Sequence, residues 1–219
     1  SPDSDEGALR LLRRHPHQGG RMDPNVILGR VLRLARLDTS VFDEVRDDQN
    51  ETIPAVIIAA ISALLAGIGS FLWWKVVWGS EFEPDGVFLN TLLLGSIFTL
   101  AMYGVGALVI YVVLAQMFKL QVDLMSLVRV MGYAAIPMAL WVLMFIPVLY
   151  PLFALMPIAL LMVMMIYAVQ SVSGADSTEV VIASAIGLGV MILVLGFFSQ
   201  AGDDAPIGAG IFSILFDYS

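Results

Sequence analysis

The sequence predicts an all-α integral membrane protein: a five-transmembrane-helix bundle with a short amphipathic cytoplasmic N-terminal region. Three observations predict this fold class. Hydrophobic residues make up 59% of the 219 residues and charged residues only 14%, with a mean hydropathy of +0.88, which is more apolar than soluble domains are. Several apolar runs are long enough to cross a bilayer. Basic residues are concentrated before the first of these runs.

The distribution of charge and the lack of cysteine narrow the function classes. Eight of the 11 Lys and Arg residues precede the first long apolar run, and only Lys75, Lys119 and Arg129 lie beyond it. The formal net charge of −8 argues against a nucleic-acid partner, whereas basic residues near a membrane can bind anionic lipid. The chain has no cysteine, which excludes disulfides, thiol catalysis and thiolate metal sites.

Residues 1–21 are polar and basic and lack the short apolar core of a signal peptide. We interpret them as a flexible N-terminal extension, with the organised chain beginning at Met22. Both histidines, His15 and His17, lie in this extension, so no histidine falls within an apolar run.

Residues 22–52 are predicted to form cytoplasmic amphipathic or juxtamembrane helices. In "NVILGRVLRLARL" the arginines and the apolar side chains fall on opposite helical faces. We expect this helix to lie on the inner leaflet, with the arginines as lipid-surface residues. The arginines are Arg30, Arg33 and Arg36, and the apolar face carries Ile27, Val31, Leu34 and Ala35.

A second helix is predicted in "VFDEVRDDQNET", after a capping residue among Asp38, Thr39 and Ser40. Its carboxylates can bind a divalent cation or a basic partner segment, or can form an ordinary solvated face. This possible partner patch consists of Asp43, Glu44, Asp47 and Asp48, and Glu51 is predicted to share the side of Asp43 and Asp47.

Residues 53–199 form the predicted membrane domain. A bilayer core of about 30 Å needs about 20 apolar residues of helix. No charge occurs between Val130 and Ala175, and Pro147 and Pro151 interrupt this run, which favours a tight hairpin over one very long helix. The predicted spans are residues 53–77, 87–117, 127–146, 152–170 and 180–199.

Loop charges predict the orientation. The arginine-rich N-terminus and the link carrying Lys119 and Arg129 are cytoplasmic by the positive-inside rule, since "GSEFEPDG" and the tail carry only acids. Residues 200–219 are then an extracytoplasmic tail, in which "IGAGIFSILF" is too short to span and is expected at the interface or against the bundle. The tryptophans at the outer end of the first span are predicted to form an interfacial belt: Trp73, Trp74 and Trp78.

Small residues recur every four positions in the first span and, more briefly, in the fifth. Such residues let helices approach closely, either inside the bundle or at an interface with a partner or a second copy. Internal packing is the favoured interpretation. The predicted helix-packing residues are Ala55, Ala59, Ala63 and Gly67 in the first span, and Gly187 and Gly189 in the fifth.

The stretch "RVMGYAAIPMAL" opens the third span. Arg129 marks its cytoplasmic edge and can pair with lipid phosphates, and Gly132 permits close backbone approach. Pro137 cannot donate a hydrogen bond to the carbonyl of Tyr133, so the span is predicted to kink about one turn inside the membrane. We interpret the stretch as a packing element first, with a ligand site as the secondary hypothesis.

No ionisable residue falls well inside a predicted span, although intramembrane catalysis and proton-coupled transport normally need one. We therefore predict no enzymatic activity, no cofactor and no metal site.

Together with "RLDTSVFDEVRDDQNETIPA", the stretch "LVRVMGYAAIPMAL" resembles the YIP domain family of five-span membrane proteins, relatives of the Rab-interacting proteins of eukaryotic secretory membranes. The resemblance covers about Val26 to Phe198, and its family motif is Arg129, Gly132, Tyr133 and Pro137. It implies a non-enzymatic role in membrane organisation or trafficking, through lipidated small GTPases or other family members. The compactness of the chain suggests a prokaryotic member, in the plasma or inner membrane.

The expected function is that of a membrane scaffold or accessory subunit, whose partners are membrane lipids and a membrane protein or a second copy of the chain. The alternative is a transporter or channel for lipid or a small neutral solute. It would use the bend at Pro137 and the polar positions of the second span: Asn90, Thr91, Thr99, Tyr103 and Gln116.

Overall fold

The structure is a computed structural model that describes residues 23–77, 88–201 and 209–212. Several predictions fall outside these residues. They concern the extension 1–21 with its two histidines, Trp78, the acidic segment "GSEFEPDG" and most of the tail 200–219.

Two short helices and a turn precede the first span. Helix α1, Pro24–Ala35, begins where Asp23 accepts a hydrogen bond from the backbone N–H of Asn25. It ends before Leu37, whose φ of 63° cannot continue a right-handed helix. Helix α2, Ser40–Asp47, and a 3₁₀ turn at Gln49–Glu51 follow.

Helix α2 is shorter than the predicted "VFDEVRDDQNET". Asp48 has an extended backbone, with φ −90° and ψ 103°, which ends α2 at Asp47 and starts the 3₁₀ turn. Glu51 therefore does not continue the helical face of Asp43 and Asp47, and the prediction that these three share one side is wrong.

Five spans follow in the described residues, each long and apolar enough to cross a membrane, and they confirm the predicted fold class. No strand occurs in the same ranges. Three spans are single α-helices: span 1 is α3, Thr52–Val77; span 4 is α6, Tyr150–Ser173; and span 5 is α7, Ser177–Ala201. Span 2 consists of a π-helical segment at Phe88–Leu94, helix α4 at Gly95–Val112 and a second π-helical segment at Val113–Met117. Span 3 consists of helix α5 at Leu124–Ala134 and a 3₁₀ segment at Ile136–Phe145.

The outward faces of the spans are apolar. Ile61, Ile97, Leu193 and Phe197 are between 51% and 74% exposed, although soluble proteins seldom leave such side chains clustered at their surface. These faces fit a hydrocarbon environment because they carry apolar side chains, and the backbone hydrogen bonds of a helix are made within the span itself. The chain is an integral membrane protein.

Span 3 differs from the predicted kinked α-helix. Helix α5 ends at Ala134, and ten residues of 3₁₀ helix follow, with Pro137 at the second position. A 3₁₀ helix rises about 2.0 Å per residue against about 1.5 Å in an α-helix, so this segment extends about 20 Å instead of about 15 Å. The change of helix type brings the 22-residue span to about 38 Å, close to the length of the 24-residue span 4 at 1.5 Å rise per residue.

The hairpin between spans 3 and 4 lies where the prolines predict it. The 3₁₀ segment ends at Phe145, and α6 begins at Tyr150 with Pro151 in its first turn. The indole N–H of Trp141 donates to the backbone oxygen of Ala154 at 3.1 Å. This bond joins the two arms of the hairpin inside the bundle.

Span 1 lies between spans 2 and 3. A methyl group added to Gly67 would overlap Ser96 in span 2, and one added to Gly132 in span 3 would overlap the carbonyl group of Ala55. The small residues of span 1 are therefore used inside the bundle and are not available to a partner. All four are buried: Ala55, Ala59, Ala63 and Gly67.

Spans 2 and 5 cross at a pair of glycines. A methyl group added to Gly187 would lie 2.7 Å from the backbone oxygen of Gly106 and 2.5 Å from Cγ1 of Ile110. A methyl group on Gly189 would meet no atom within 4 Å. Of the two glycines predicted to pack in span 5, Gly187 lies at a crossing and Gly189 does not.

Aromatic and apolar side chains pack together at the end of the bundle where span 1 ends and span 4 begins. Trp73 and Trp74 are only 4% and 3% exposed, and the Trp73 ring lies 5.7 Å from that of Tyr150. The predicted interfacial belt is wrong for these two tryptophans, which pack inside the protein. Helix α8, Ala209–Phe212, adds Ile211 and Phe212 to the core, so this part of the tail packs against the bundle.

We expect Gly132→Ala to lower the free energy of unfolding by about 1–3 kcal/mol, the usual cost of overpacking a buried contact, because its methyl group overlaps Ala55. Gly189→Ala is the matched control, since its methyl group meets open space. The measurement is the fraction of monodisperse protein left after heating in detergent. Equal losses in the two variants would contradict the tight crossing of spans 1 and 3.

Candidate functional site

A buried carboxylate lies where the N-terminal helices meet the spans. Glu51 is 8% exposed and ends the 3₁₀ turn that leads into α3. One carboxylate oxygen pairs with the guanidinium of Arg30 in α1. The other accepts a hydrogen bond of 2.5 Å from the hydroxyl of Tyr133 in α5. The Glu51 side chain therefore joins α1, span 1 and span 3.

Both oxygens of this carboxylate have partners, as its burial requires. Removing a charge from water costs several kcal/mol, and only well-placed partners offset that cost. Arg30 is itself mostly buried and approaches a second carboxylate, with Nε 3.6 Å from Oε2 of Glu44. Burial alone would lower the pKa of the Arg30 guanidinium, but its bond to Glu51 raises the pKa overall.

Arg33 continues the network at the surface. It donates to Asp38 at 2.8 Å and lies 2.7 Å from Glu44, but these side chains are about two-fifths exposed and such pairs add little stability. The Ser40 hydroxyl, and then Arg33, hold the pKa of the Asp38 carboxyl below its ordinary value. The pKa of Asp38 is therefore lower in the folded than in the unfolded protein. The stabilisation of the folded state that goes with this shift is present at neutral pH and is lost as the pH falls through the folded-state pKa.

Three residues, which we call the Arg46 clamp, fasten α2 to spans 3 and 4: Arg46, Arg129 and Ser171. Arg129 is 6% exposed and donates to the backbone oxygen of Arg46 from Nε at 3.0 Å and from Nη2 at 2.6 Å. Arg46 in turn donates from Nη1 to the backbone oxygen of Ser171 at 2.6 Å. The predicted pairing of Arg129 with lipid phosphates is therefore replaced by a contact with the protein backbone.

The acidic residues of the predicted partner patch point in different directions. Glu44 turns toward the arginines of α1, and Asp48 caps the 3₁₀ turn. The side chains of Asp43 and Asp47 are 65% and 69% exposed and contact Arg46. These two carboxylates form the most exposed part of the patch.

Helix α1 carries apolar side chains on two sides. Leu34 is fully buried and Ile27 packs against the core, so the face predicted to meet the leaflet packs against the protein instead. Leu28 and Leu32 are 56% and 52% exposed. Arg36 is exposed too and follows them at spacing four, on the same side of the helix. Among the three predicted lipid-surface arginines, Arg30 and Arg33 form ion pairs with the protein's own carboxylates, and Arg36 forms none with the residues that the structure describes.

An apolar groove of about 350 Å³, which we call the lateral groove, lies between spans 1, 2 and 3. The Tyr103 hydroxyl in its wall donates to the backbone oxygen of Met131 at 2.6 Å, so this polar group is satisfied within the protein. Its walls include Val56 and Ala59 of span 1, Gly104 and Ala107 of span 2, and Leu127 and Val128 of span 3.

The four residues of the predicted family motif have different positions in the structure. Arg129 belongs to the Arg46 clamp, and Gly132 allows the crossing with span 1. Tyr133 binds Glu51, and Pro137 lies at the start of the 3₁₀ segment. The motif thus acts in assembly of the bundle, and Gly132 also lines the lateral groove.

Sequence reasoning missed Glu51 as the centre of this site. The available signal was its position, two residues before the first apolar run, because a carboxylate at the membrane boundary is costly unless it is paired. Within the ranges described, no three His, Cys, Asp or Glu side chains are grouped to hold a metal ion.

We expect Tyr133→Phe to lower the free energy of unfolding by about 1.5–3 kcal/mol, the range for a hydrogen bond to a charged group, because one oxygen of Glu51 loses its partner. Tyr167→Phe is the control, since Tyr167 is 49% exposed on span 4. Intrinsic tryptophan fluorescence during heating reports the transition. A Tyr133→Phe midpoint equal to that of the wild type would count against a bond of this strength.

Comparison of the chain with models of protein families, with curated proteins and with solved structures found no match. The resemblance to the YIP domain family therefore stays a prediction.

Proposed function

We propose that the protein is a non-enzymatic membrane scaffold or accessory subunit that acts through helix–helix and lipid contacts. The observation that carries this proposal is the Arg46 clamp. It holds α2 on spans 3 and 4, while Asp43 and Asp47 of the same helix stay exposed. A helix fixed in this way presents a surface of constant shape, so a partner binds without the cost of ordering it.

The proposed orientation places α1 and α2 in the cytoplasm and the C-terminus outside, in the plasma or inner membrane of a prokaryote. Support comes from the arginines of α1 and from Lys119, since α1, α2 and the link before α5 lie at one end of the bundle. At this surface Leu28 and Leu32 enter the headgroup region and Arg36 pairs with anionic lipid. Lipid contact then reinforces the position that the clamp gives to α2.

A YIP-like role in membrane organisation or trafficking is consistent with this arrangement. The partner is a membrane protein, or a second copy of the chain, that carries basic side chains opposite Asp43 and Asp47. Their charge steers such a partner to the membrane surface before close contact forms.

Transport is the second candidate, and the lateral groove is the feature that favours it. The polar residues of span 2 do not support a continuous path, however. Thr99 and Tyr103 are buried whereas Gln116 is exposed, and the Tyr103 hydroxyl is already bonded to Met131. We therefore rank transport below the scaffold role.

Isolation of the protein from its own membranes in polymer discs tests the scaffold role. We expect a defined membrane protein, or further copies of the chain, at stoichiometric amounts by mass spectrometry. Reversing two charges, with Asp43→Lys and Asp47→Lys, should reduce the retained partner several-fold, because the surface presented by α2 changes sign and Arg46 loses its two carboxylate partners.

The control reverses two charges at the same end of the bundle but outside α2, with Asp176→Lys and Glu179→Lys, and should retain the partner. Equal retention in all three proteins would contradict the role of α2. Wild-type protein recovered as a monomer with lipid alone would contradict the scaffold and favour transport.

A further inference from the structure

The lateral groove lies in the half of the membrane domain nearest α1 and α2. Its lining residues run from Leu100 to Leu108 in span 2 and from Leu124 to Gly132 in span 3. Each stretch is about 12 Å of helix at 1.5 Å rise per residue. Because Leu124 begins span 3, the groove extends from the membrane boundary into the hydrocarbon layer.

The groove opens sideways, between the spans. Val56, Leu108 and Leu124 on its walls are 50%, 52% and 38% exposed. In a bilayer the molecules beside these residues are lipids. Walls that face a void lose the dispersion contacts of a packed interface, so an occupant from the bilayer stabilises the groove.

The walls offer hydrocarbon contacts and no unpaired polar group. Tyr103 is the one lining residue with a hydroxyl, and it donates to Met131. Water needs two or more polar partners to occupy a cavity, and a polar solute would leave its own groups unsatisfied here. The chemistry of the groove therefore fits an apolar chain.

The shape and lining of the groove favour a flexible hydrocarbon chain. The groove holds about 350 Å³, and its walls run for about 12 Å of helix at 1.5 Å rise per residue. A hydrocarbon chain can follow apolar walls over this length without leaving a polar group unpaired, and a protein segment in the groove is an outcome that the test below distinguishes.

We propose that the lateral groove binds one acyl chain of a membrane lipid, inserted from the leaflet on the side of α1 and α2. The acyl chain lies along Gly104 and Ala107, two small residues that leave room for it, and contacts Leu127 and Val128 on the opposite wall. The wall formed by α4 is flanked by the π-helical segments of span 2, a conformation common at functional sites. This site is independent of the scaffold role.

Photolabelling tests the proposal. The full chain is placed in nanodiscs of phosphatidylcholine in which a fraction of the lipid carries a diazirine on one acyl chain, and labelled residues are mapped by mass spectrometry. We expect residues 100–108 and 124–132 to be labelled several-fold more than the lipid-exposed positions Leu193 and Phe197 of span 5, because a bound chain stays longer than a passing one.

Gly104→Leu fills the groove without a clash at Cβ, since a Cβ there meets no atom within 4 Å. Labelling of the groove should fall to the level of span 5. Gly189→Leu, which also has open space at Cβ, should leave it unchanged.

Three results would overturn the proposal. One is wild-type labelling of the groove that is no stronger than the labelling of span 5. This result is obtained on the wild-type protein and does not depend on the folding of a variant. Another is undiminished labelling in monodisperse Gly104→Leu. The third is protection of the groove by a co-purified protein or second copy, which would assign it to a protein surface.

Discussion

The carboxylate of Glu51 is the charge around which the N-terminal part of the fold is arranged. Its two oxygens are taken by Arg30 and by Tyr133, residues that belong to elements on opposite sides of it in the chain. Neither partner can be removed without leaving a buried charge incompletely bonded, which costs more than the pair contributes when complete. The positions of α1 and span 3 relative to span 1 follow from this requirement, and the Arg46 clamp adds span 4 to the same surface.

The lateral groove is a consequence of how spans 2 and 3 are held. Gly132 brings the backbone of span 3 against Ala55, and the bond from Tyr103 to Met131 ties span 2 to the residue just before Gly132. Span 2 is thus fixed to span 3 at one level, while Gly104 and Ala107, which follow Tyr103 on the same helix, leave space beside that contact. Close packing at one point and small residues beside it together produce the opening.

The features predictable from the sequence were those with local causes. Apolar run length and the two prolines located five spans, because the bilayer fixes the length of a helix and proline interrupts it. The conversion of span 3 to a 3₁₀ helix was not predictable from Pro137, because a proline at this position is equally compatible with a kinked α-helix. The roles of Arg129 and Glu51 depend on partners 83 and 82 residues away, and Trp73 packs against Tyr150. Contacts between residues so far apart in the chain cannot be predicted from a local sequence pattern.

These long separations set the order in which the protein can be completed during synthesis. Tyr133 leaves the ribosome 82 residues after Glu51, and Ser171 leaves 125 residues after Arg46. The first two helices are therefore made before their membrane-embedded partners exist, and they must wait at the membrane surface with their charges hydrated. A chain that stops before span 4, or inserts it wrongly, keeps Arg46 without its bond to the backbone oxygen of Ser171. In such an incomplete chain α2 is not yet fastened to span 4.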